Sequence, residues 1–504
     1  MKKLVYLLLC LSLVGRMAAQ NSLEPKQPYM VADFNEKSLE SMLALCQKGG
    51  FEYLVERTPL STFGHYQWNP EFAPNDKAVA RMAVKAEAAG VHLGLLVQPD
   101  AISENDAYFA ARYSKHFLRE GRVELYSDLA ENEIDIALHY TEVIQGVSSL
   151  NLIMVENEVI SYGTIERAGD LLLLHHCTRG ACGTRASSHP ANAEAYKIWD
   201  SPGRFVAPDE ALRDSVQWHL NRRIEASGIT VTLQAGEPGQ ELLDGSLRVR
   251  QTERWAESDG VVKTGSLGWI YIYAANNKRD AISLDDVEWL MSKAVGFDAG
   301  YGLLIDQKAM KEHGQLDAIL EKIRQWERLR QTGNLTQEQR DELRDPYGDW
   351  HLEQEGDGQL ALYQWNISRR YNCRFVEADS LFIGAEPWDW KAEADGAFGL
   401  RLLVSGKVSI KDPMINTERG LLMFPCTVKP GQRLLFDGGE VAYLMDENFK
   451  TLKEITIEGV ALLPEGTSKV HFYGETEKEG AVPEVTLRYI TSSLMARYHL
   501  ENHH

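Results

Sequence analysis

The sequence predicts a multidomain α/β plus β protein: a (β/α)8-type barrel with an inserted small β-domain, followed by a C-terminal β-sandwich. Three observations predict it. Between Pro28 and Arg112, apolar strand-like runs alternate with helix-like stretches. That rhythm stops near Lys115 and resumes at Pro208. Beyond Trp350 only short strand-like runs between turn residues remain.

The chain begins Met1-Lys2-Lys3, continues with an apolar run from Leu4 to Val14, and reaches small residues at Ala18-Ala19 before Gln20. A basic start, a short apolar core and a small-residue end make up a secretory signal peptide, predicted over 1–20. The run is shorter than the about 20 residues a bilayer span needs. No other stretch reads as a membrane span. The expected location is therefore exported, periplasmic or extracellular.

The first part of the barrel is predicted over 21–115. Tyr29–Ala32, Phe51–Val55 and Val91–Val97 read as strands, with helices over Glu36–Gln47 and Asp76–Ala89. Gly90 is a C-terminal stop. Near-continuous apolar strands between helices mark a parallel sheet covered on both faces. The inserted β-domain is predicted over 116–200, from the runs Val123–Leu125, Asn151–Val155, Glu158–Tyr162 and Leu171–His175.

The second barrel part is predicted over 201–345. Asp209–Ala226 reads as a helix stopped by Gly228, and Ile229–Leu233 as a strand. Leu247–Val249, Trp269–Tyr273 and Gly300–Ile305 read as further strands, and His313–Gln331 as a long helix. Ser283 with Asp286, and Thr336 with Gln339, have capping-box spacing. Six or seven barrel-type strands can be counted, which points to a complete eight-stranded barrel. Connecting strands over 346–380 lead to the sandwich over 381–504.

Bulk properties exclude some functions. The 504 residues carry a formal net charge of −20, which argues against a nucleic-acid partner, because phosphate binding needs clustered Lys and Arg. Six cysteines occur, one of them Cys10 in the leader. Cys177 and Cys182 are close enough to pair locally, and free thiols are the equal alternative. No Cys/His spacing marks a metal site. There is no dinucleotide fingerprint, no nucleophile elbow and no His-Glu-x-x-His, so no metal and no cofactor is expected. Thr178–Thr184 lacks the Lys and strand–helix setting of a phosphate loop and reads as a tight turn. The sequence does not fix an oligomeric state.

Several stretches together resemble exported, glycoside-hydrolase-like barrel proteins of polysaccharide-degrading bacteria. They are Gly50–Leu54 with Gly64-His65-Tyr66, Ala89–Leu95 with Ile102–Tyr108, Glu156–Tyr162, Cys177–Thr184 with His189, Lys278–Ala281 and Phe297–Tyr301. The set spans roughly residues 30 to 365. Val428–Gln432 is similar to sandwich domains appended to such barrels. The resemblance implies a glycan substrate, a poly- or oligosaccharide that could be acidic, met outside the cytoplasm. It also implies an acidic residue at the end of the strand after the insert, where this chain has Gln234. An amide cannot exchange a proton near neutral pH as a carboxyl can.

In a barrel the site lies at the C-terminal strand ends. Glycoside hydrolysis uses two carboxyl groups, about 5–5.5 Å apart for retention and about 6.5–9.5 Å for inversion. Glu237 and Glu253 are the expected catalytic pair, because they follow consecutive predicted strands. Asp33, His65, Trp68, Gln234, Arg254 and Arg279 are the expected substrate-binding residues. His65 and Trp68 belong to an aromatic loop suited to sugar C–H faces. Arg254 and Arg279 could hold a carboxylate or sulfate in a fork. Three activities stay open: hydrolysis, glycan binding without catalysis, and polysaccharide lysis with His65 or a Tyr as base.

Overall fold

The computed structural model describes residues 21–22, 26–144, 148–201, 203–235, 240–243, 248–256, 264–356, 358–375, 380–392 and 395–500. Its parallel strands are β1 (Asn21–Ser22), β2 (Tyr29–Ala32), β3 (Tyr53–Glu56), β4 (His92–Val97), β5 (Val231–Gln234), β6 (Leu242–Leu243), β7 (Ser266–Ile272) and β8 (Gly300–Ile305). The principal helices are α1 (Leu39–Gly49), α2 (Asp76–Ala88), α3 (Glu210–Ser227), α4 (Arg248–Ala256), α5 (Leu284–Phe297), α6 (Leu316–Thr332) and α7 (Gln337–Arg344). The chain forms two compact units. One holds the described parts of Met1–Leu23, Asp33–Leu43 and Tyr53–Glu237, and the other those of Glu24–Ala32, Ala44–Glu52 and Pro238–His504.

In the first unit the parallel order is β1-β5-β4-β3, with Asn21 opposite Val231, Val231 opposite Gly94, and Tyr53 opposite His92. β4 is buried at Leu93, Leu95 and Val97, which share one face, and at Gly94 on the other. Helix α3 buries Leu212, Val216, Leu220 and Ile224, a stripe at four-residue spacing. The Asp209 side chain accepts from Leu212 N at the N-terminus, and Gly228 ends the helix at φ 69°.

The insert leaves the α/β layer after β4 and returns before α3. Its ends are zipped together: Leu118 N donates to Ala207 O at 2.8 Å, and Asp209 N to His116 O at 2.7 Å. Inside it, one antiparallel sheet runs Thr178–Ala181, Glu158–Ser161, Leu152–Val155, Glu194–Ile198, Arg119–Glu124, and a second runs Thr164–Ala168, Leu171–His175, Ile136–His139. Val123, Leu125, Ile153, Val155, Ile160, Leu172 and Leu174 share one core cluster.

In the second unit the parallel order is β2-β8-β7-β6. Two antiparallel sheets follow. One runs Asp349–Gln354, Gln359–Ile367, Glu484–His499, Gly399–Ser405, Arg433–Phe436, Val441–Met445, Thr451–Thr456. The other runs Phe382–Gly384, Gly466–Glu475, Ile410–Thr417, Gly420–Met423, Glu458–Gly459. Leu400, Leu402 and Val404 from the first pack with Ile415, Val470 and Phe472 from the second, the interdigitation of a sandwich.

One expectation needs correction. Of the strand expected over Leu247–Val249, Leu247 lies outside the described residues, and Arg248 and Val249 instead open α4, which buries Thr252 and Trp255. A three-residue apolar alternation is too short to separate strand from helix. Eight parallel strands are described, and among the described residues no pairing closes them into a barrel. Each unit holds one parallel run, and β1 and β6 hold only two residues each. Cys177 and Cys182 are unbridged, as are Cys46, Cys373 and Cys426.

Candidate functional site

Chemistry gathers in the first unit, in the loops that follow β3 and β4. The loop after β3 carries Gly64, His65 and Tyr66. Gly64 has φ 111°, and a Cβ there would lie 2.6 Å from Asp106 Oδ1. The absent side chain lets the backbone close on the Asp106 carboxylate. Asp106 Oδ2 accepts from His65 N at 2.8 Å, while Oδ1 meets His65 Nδ1 at 2.8 Å and accepts from Tyr108 N at 2.9 Å. The Asp106 side chain is buried and that of His65 is 33% exposed.

Rings complete the cluster. His65 stacks on Tyr108 with centroids 4.3 Å apart, and His219 of α3 lies 4.5 Å from His65. Trp218, next to His219, is 53% exposed, and its ring lies 5.2 Å from the Arg222 guanidinium carbon. His219 is lowered from its ordinary value, first by burial and then by the charge of His65, with Arg222 and Arg223 adding to it against Asp106. Arg223 braces the loop from α3, donating to Tyr66 O at 3.0 Å and to Asp76 Oδ1 at 2.7 Å. Tyr66, at φ 51° and fully buried, donates to Gln98 O at 2.9 Å.

The end of β3 holds a second arrangement. Glu56 is buried, accepting from Phe34 N at 2.9 Å and Thr58 N at 3.2 Å. Burial pushes its carboxyl up to about 8, the two backbone N–H groups and Arg57 pulling down and Asp33 pushing further up. Asp33 is held by Arg57 through both carboxylate oxygens, with Arg57 Nε to Oδ1 at 3.1 Å, and accepts from Thr58 Oγ1 at 3.2 Å.

The other expected site residues are placed as follows. Glu237 lies outside the described residues. Glu253 is an exposed residue of α4, in a helix rather than after a strand. The expected pair is therefore not brought together within the described residues. Arg254 pairs with Glu241. The Arg279 guanidinium carbon lies 3.5 Å from the Tyr273 ring centroid and 5.5 Å from that of Tyr271. Trp68 is corrected from a sugar platform to a packing residue: it is 7% exposed, donates from Nε1 to Asp76 Oδ1 at 2.6 Å, and meets Phe72 edge-on. Gln234 is exposed at the end of β5, opposite Val97. Among the described residues no group of three or more His, Cys, Asp or Glu is placed to hold a metal ion.

Asp106, His219 and Trp218 were not singled out from the sequence. Asp106 is 41 positions from its partner His65, a separation that no local pattern bridges. Trp218 does leave a trace: it falls off the apolar stripe of α3, so an aromatic ring faces solvent.

No family model matches this chain, and no curated protein matches it. Solved structures do. An α-amylase from Geobacillus thermoleovorans complexed with acarbose aligns over 90% of this chain and 95% of its own, at 9% identity and a TM-score of 0.31. The maltogenic α-amylase AmyB from Thermotoga neapolitana aligns over 95% and 100%, at 9% identity and 0.32. The GH36 α-galactosidase AgaB from Geobacillus stearothermophilus aligns over 90% and 55%, at 11% identity and 0.29. These likenesses are loose.

Proposed function

We propose that this is an exported, glycoside-hydrolase-like protein directed at a poly- or oligosaccharide, with the glycan bound over the loops that follow β3 and β4. The observation that supports the reading is the exposed Trp218 ring beside His219 and the half-buried His65, with Tyr108 packed against His65 from within. It combines an exposed ring with polar edges, and sugars present flat C–H faces beside hydroxyls. Calorimetric titration of the full chain with neutral and acidic polysaccharides tests it. Trp218→Ala is expected to weaken binding by roughly two- to tenfold without lowering the unfolding temperature, since Trp218 is exposed. Undiminished affinity in that variant would sink the reading.

Hydrolysis has one observation in its favour, in the second arrangement at the end of β3. Burial raises the Glu56 carboxyl to about 8, which favours its protonated form at neutral pH, while Asp33 beside it is salt-bridged; a glycosidase needs one carboxyl protonated and one ionised. If that is the chemistry, Glu56→Gln abolishes release of new reducing ends. If Glu237 and Glu253 carry it, their Gln variants do so and Glu56→Gln does not. With Gln234 in the acid's place, binding without cleavage is the outcome if none of the three matters.

A further inference from the structure

The His65–Asp106 pair is more specific than a binding surface requires. Asp106 accepts two backbone N–H bonds, from His65 and Tyr108, and lies 2.8 Å from His65 Nδ1. A carboxylate accepting at Nδ1 holds the proton there and leaves the lone pair on Nε2. The ring is fixed from one side by Tyr108 and from another by His219. An oriented imidazole whose Nε2 makes no hydrogen bond among the described residues, with its orienting acid buried, is the arrangement of a general base. Arg222, exposed one turn of helix from His219, supplies a cation close by.

We propose that His65 is the proton-abstracting base of a lyase reaction on a uronate-containing glycan, with Asp106 as its positioning residue and Arg222 as the partner of the uronate carboxylate. The inference rests on the glycan-directed reading above. His65 Nε2 takes the proton from the carbon that bears the carboxylate. The electron pair of that C–H bond forms a double bond to the neighbouring carbon, and the glycosidic C–O bond on that neighbour breaks. The imidazolium then gives the same proton to the departing oxygen. Atoms and charge balance, no water is consumed, and the histidine ends as it began. Arg222 neutralises the carboxylate, without which the neighbouring C–H is too weak an acid.

The test uses the full chain with polygalacturonate, alginate and chondroitin sulfate, and with carboxyl-reduced polygalacturonate as control. The expected result is an ultraviolet-absorbing unsaturated product from at least one polyuronate and none from the reduced polymer. His65→Gln is expected to lower the rate about 10²–10⁴-fold. Asp106→Asn should shift the pH profile of kcat/KM, with Asp106→Glu restoring part of it. Arg222→Ala, a change at an exposed position, should raise KM for the polyuronate by more than it weakens binding of the carboxyl-reduced polymer. The proposal is overturned if the unsaturated product persists in His65→Gln. It is also overturned if no polyuronate yields that product while calorimetry still detects binding, a result that leaves the glycan-directed reading standing. Absence of binding to every glycan overturns both.

Discussion

Arg179 and Glu158 meet inside the insert through two parallel N–H···O contacts of 2.8 Å each, Nε to Oε1 and Nη2 to Oε2. His189 Nε2 adds a third contact to Oε2 at 2.8 Å, and the backbone N–H groups of Gly180 and Ser187 donate at 3.0 and 3.1 Å. Burial alone would raise the Glu158 carboxyl, but these partners outweigh it and hold it down at about 2. The folded value lies below the ordinary one, so the stabilisation is present above the ordinary carboxylate range and is lost as pH falls toward about 2. Hydrogen exchange of insert amides should show opening across that window. Arg179→Met, which leaves a buried carboxylate short of its main partner, is expected to cost about 3–5 kcal/mol. Unchanged exchange in the variant would contradict this account.

Glu56 titrates in the opposite sense. Its folded value of about 8 lies above the ordinary 4.5, so the folded state binds the proton more tightly and stability falls as pH rises between those values. Comparing wild type with Glu56→Gln by chemical denaturation at several pH values isolates the term. The difference should shift against wild type from pH 4.5 to 8 and be flat below. A constant difference would mean that Glu56 is ionised in the fold.

Gly64→Ala places a methyl group against the Asp106 carboxylate and forces a side chain into φ 111°. The expected cost is roughly 1–3 kcal/mol, read from the denaturant midpoint. Because the next residue is His65, glycan affinity should fall with it. Wild-type stability together with wild-type affinity would show that the loop tolerates the wider spacing.

Lys293 in α5 is fully buried, with Nζ donating to Asp345 O at 2.6 Å and Gly348 O at 3.1 Å. Burial lowers it to about 7 from 10.5. Between those values the unfolded chain holds the extra proton, so this group's contribution to stability increases as pH rises from 7 to 10.5. Lys293→Met should remove that slope, although it leaves two carbonyls without their donor. Parallel pH curves for the two proteins would rule the assignment out.

Much of the local structure was legible because its causes are local. Tyr29–Ala32, whose apolar run predicts a strand, is β2. Asp209 and Gly228 bound α3, and Thr336 with Gln339 forms both halves of a capping box. These signals lie within a few residues of what they specify. The misreadings concern relations that the linear order does not carry. Leu247–Val249 lacks the length that separates the two periodicities. Trp68 looked like an open platform because Asp76 and Phe72, which cover it, reach it through the fold. The His65 cluster is assembled from the loop after β3, the loop after β4, and α3, and its parts are up to 154 positions apart, from His65 to His219.

The zipped ends of the insert bear on how this architecture could be edited. Leu118 and Ala207 are joined by a 2.8 Å backbone contact, so the chain leaves and re-enters the α/β layer at one point. A short turn linking the two sides could stand in for everything between them, with little loop-closure cost to the layer. By the same geometry the insert behaves as a cassette: an unrelated domain whose termini lie close together could be spliced at this point, with the strand before it and α3 after it keeping their places.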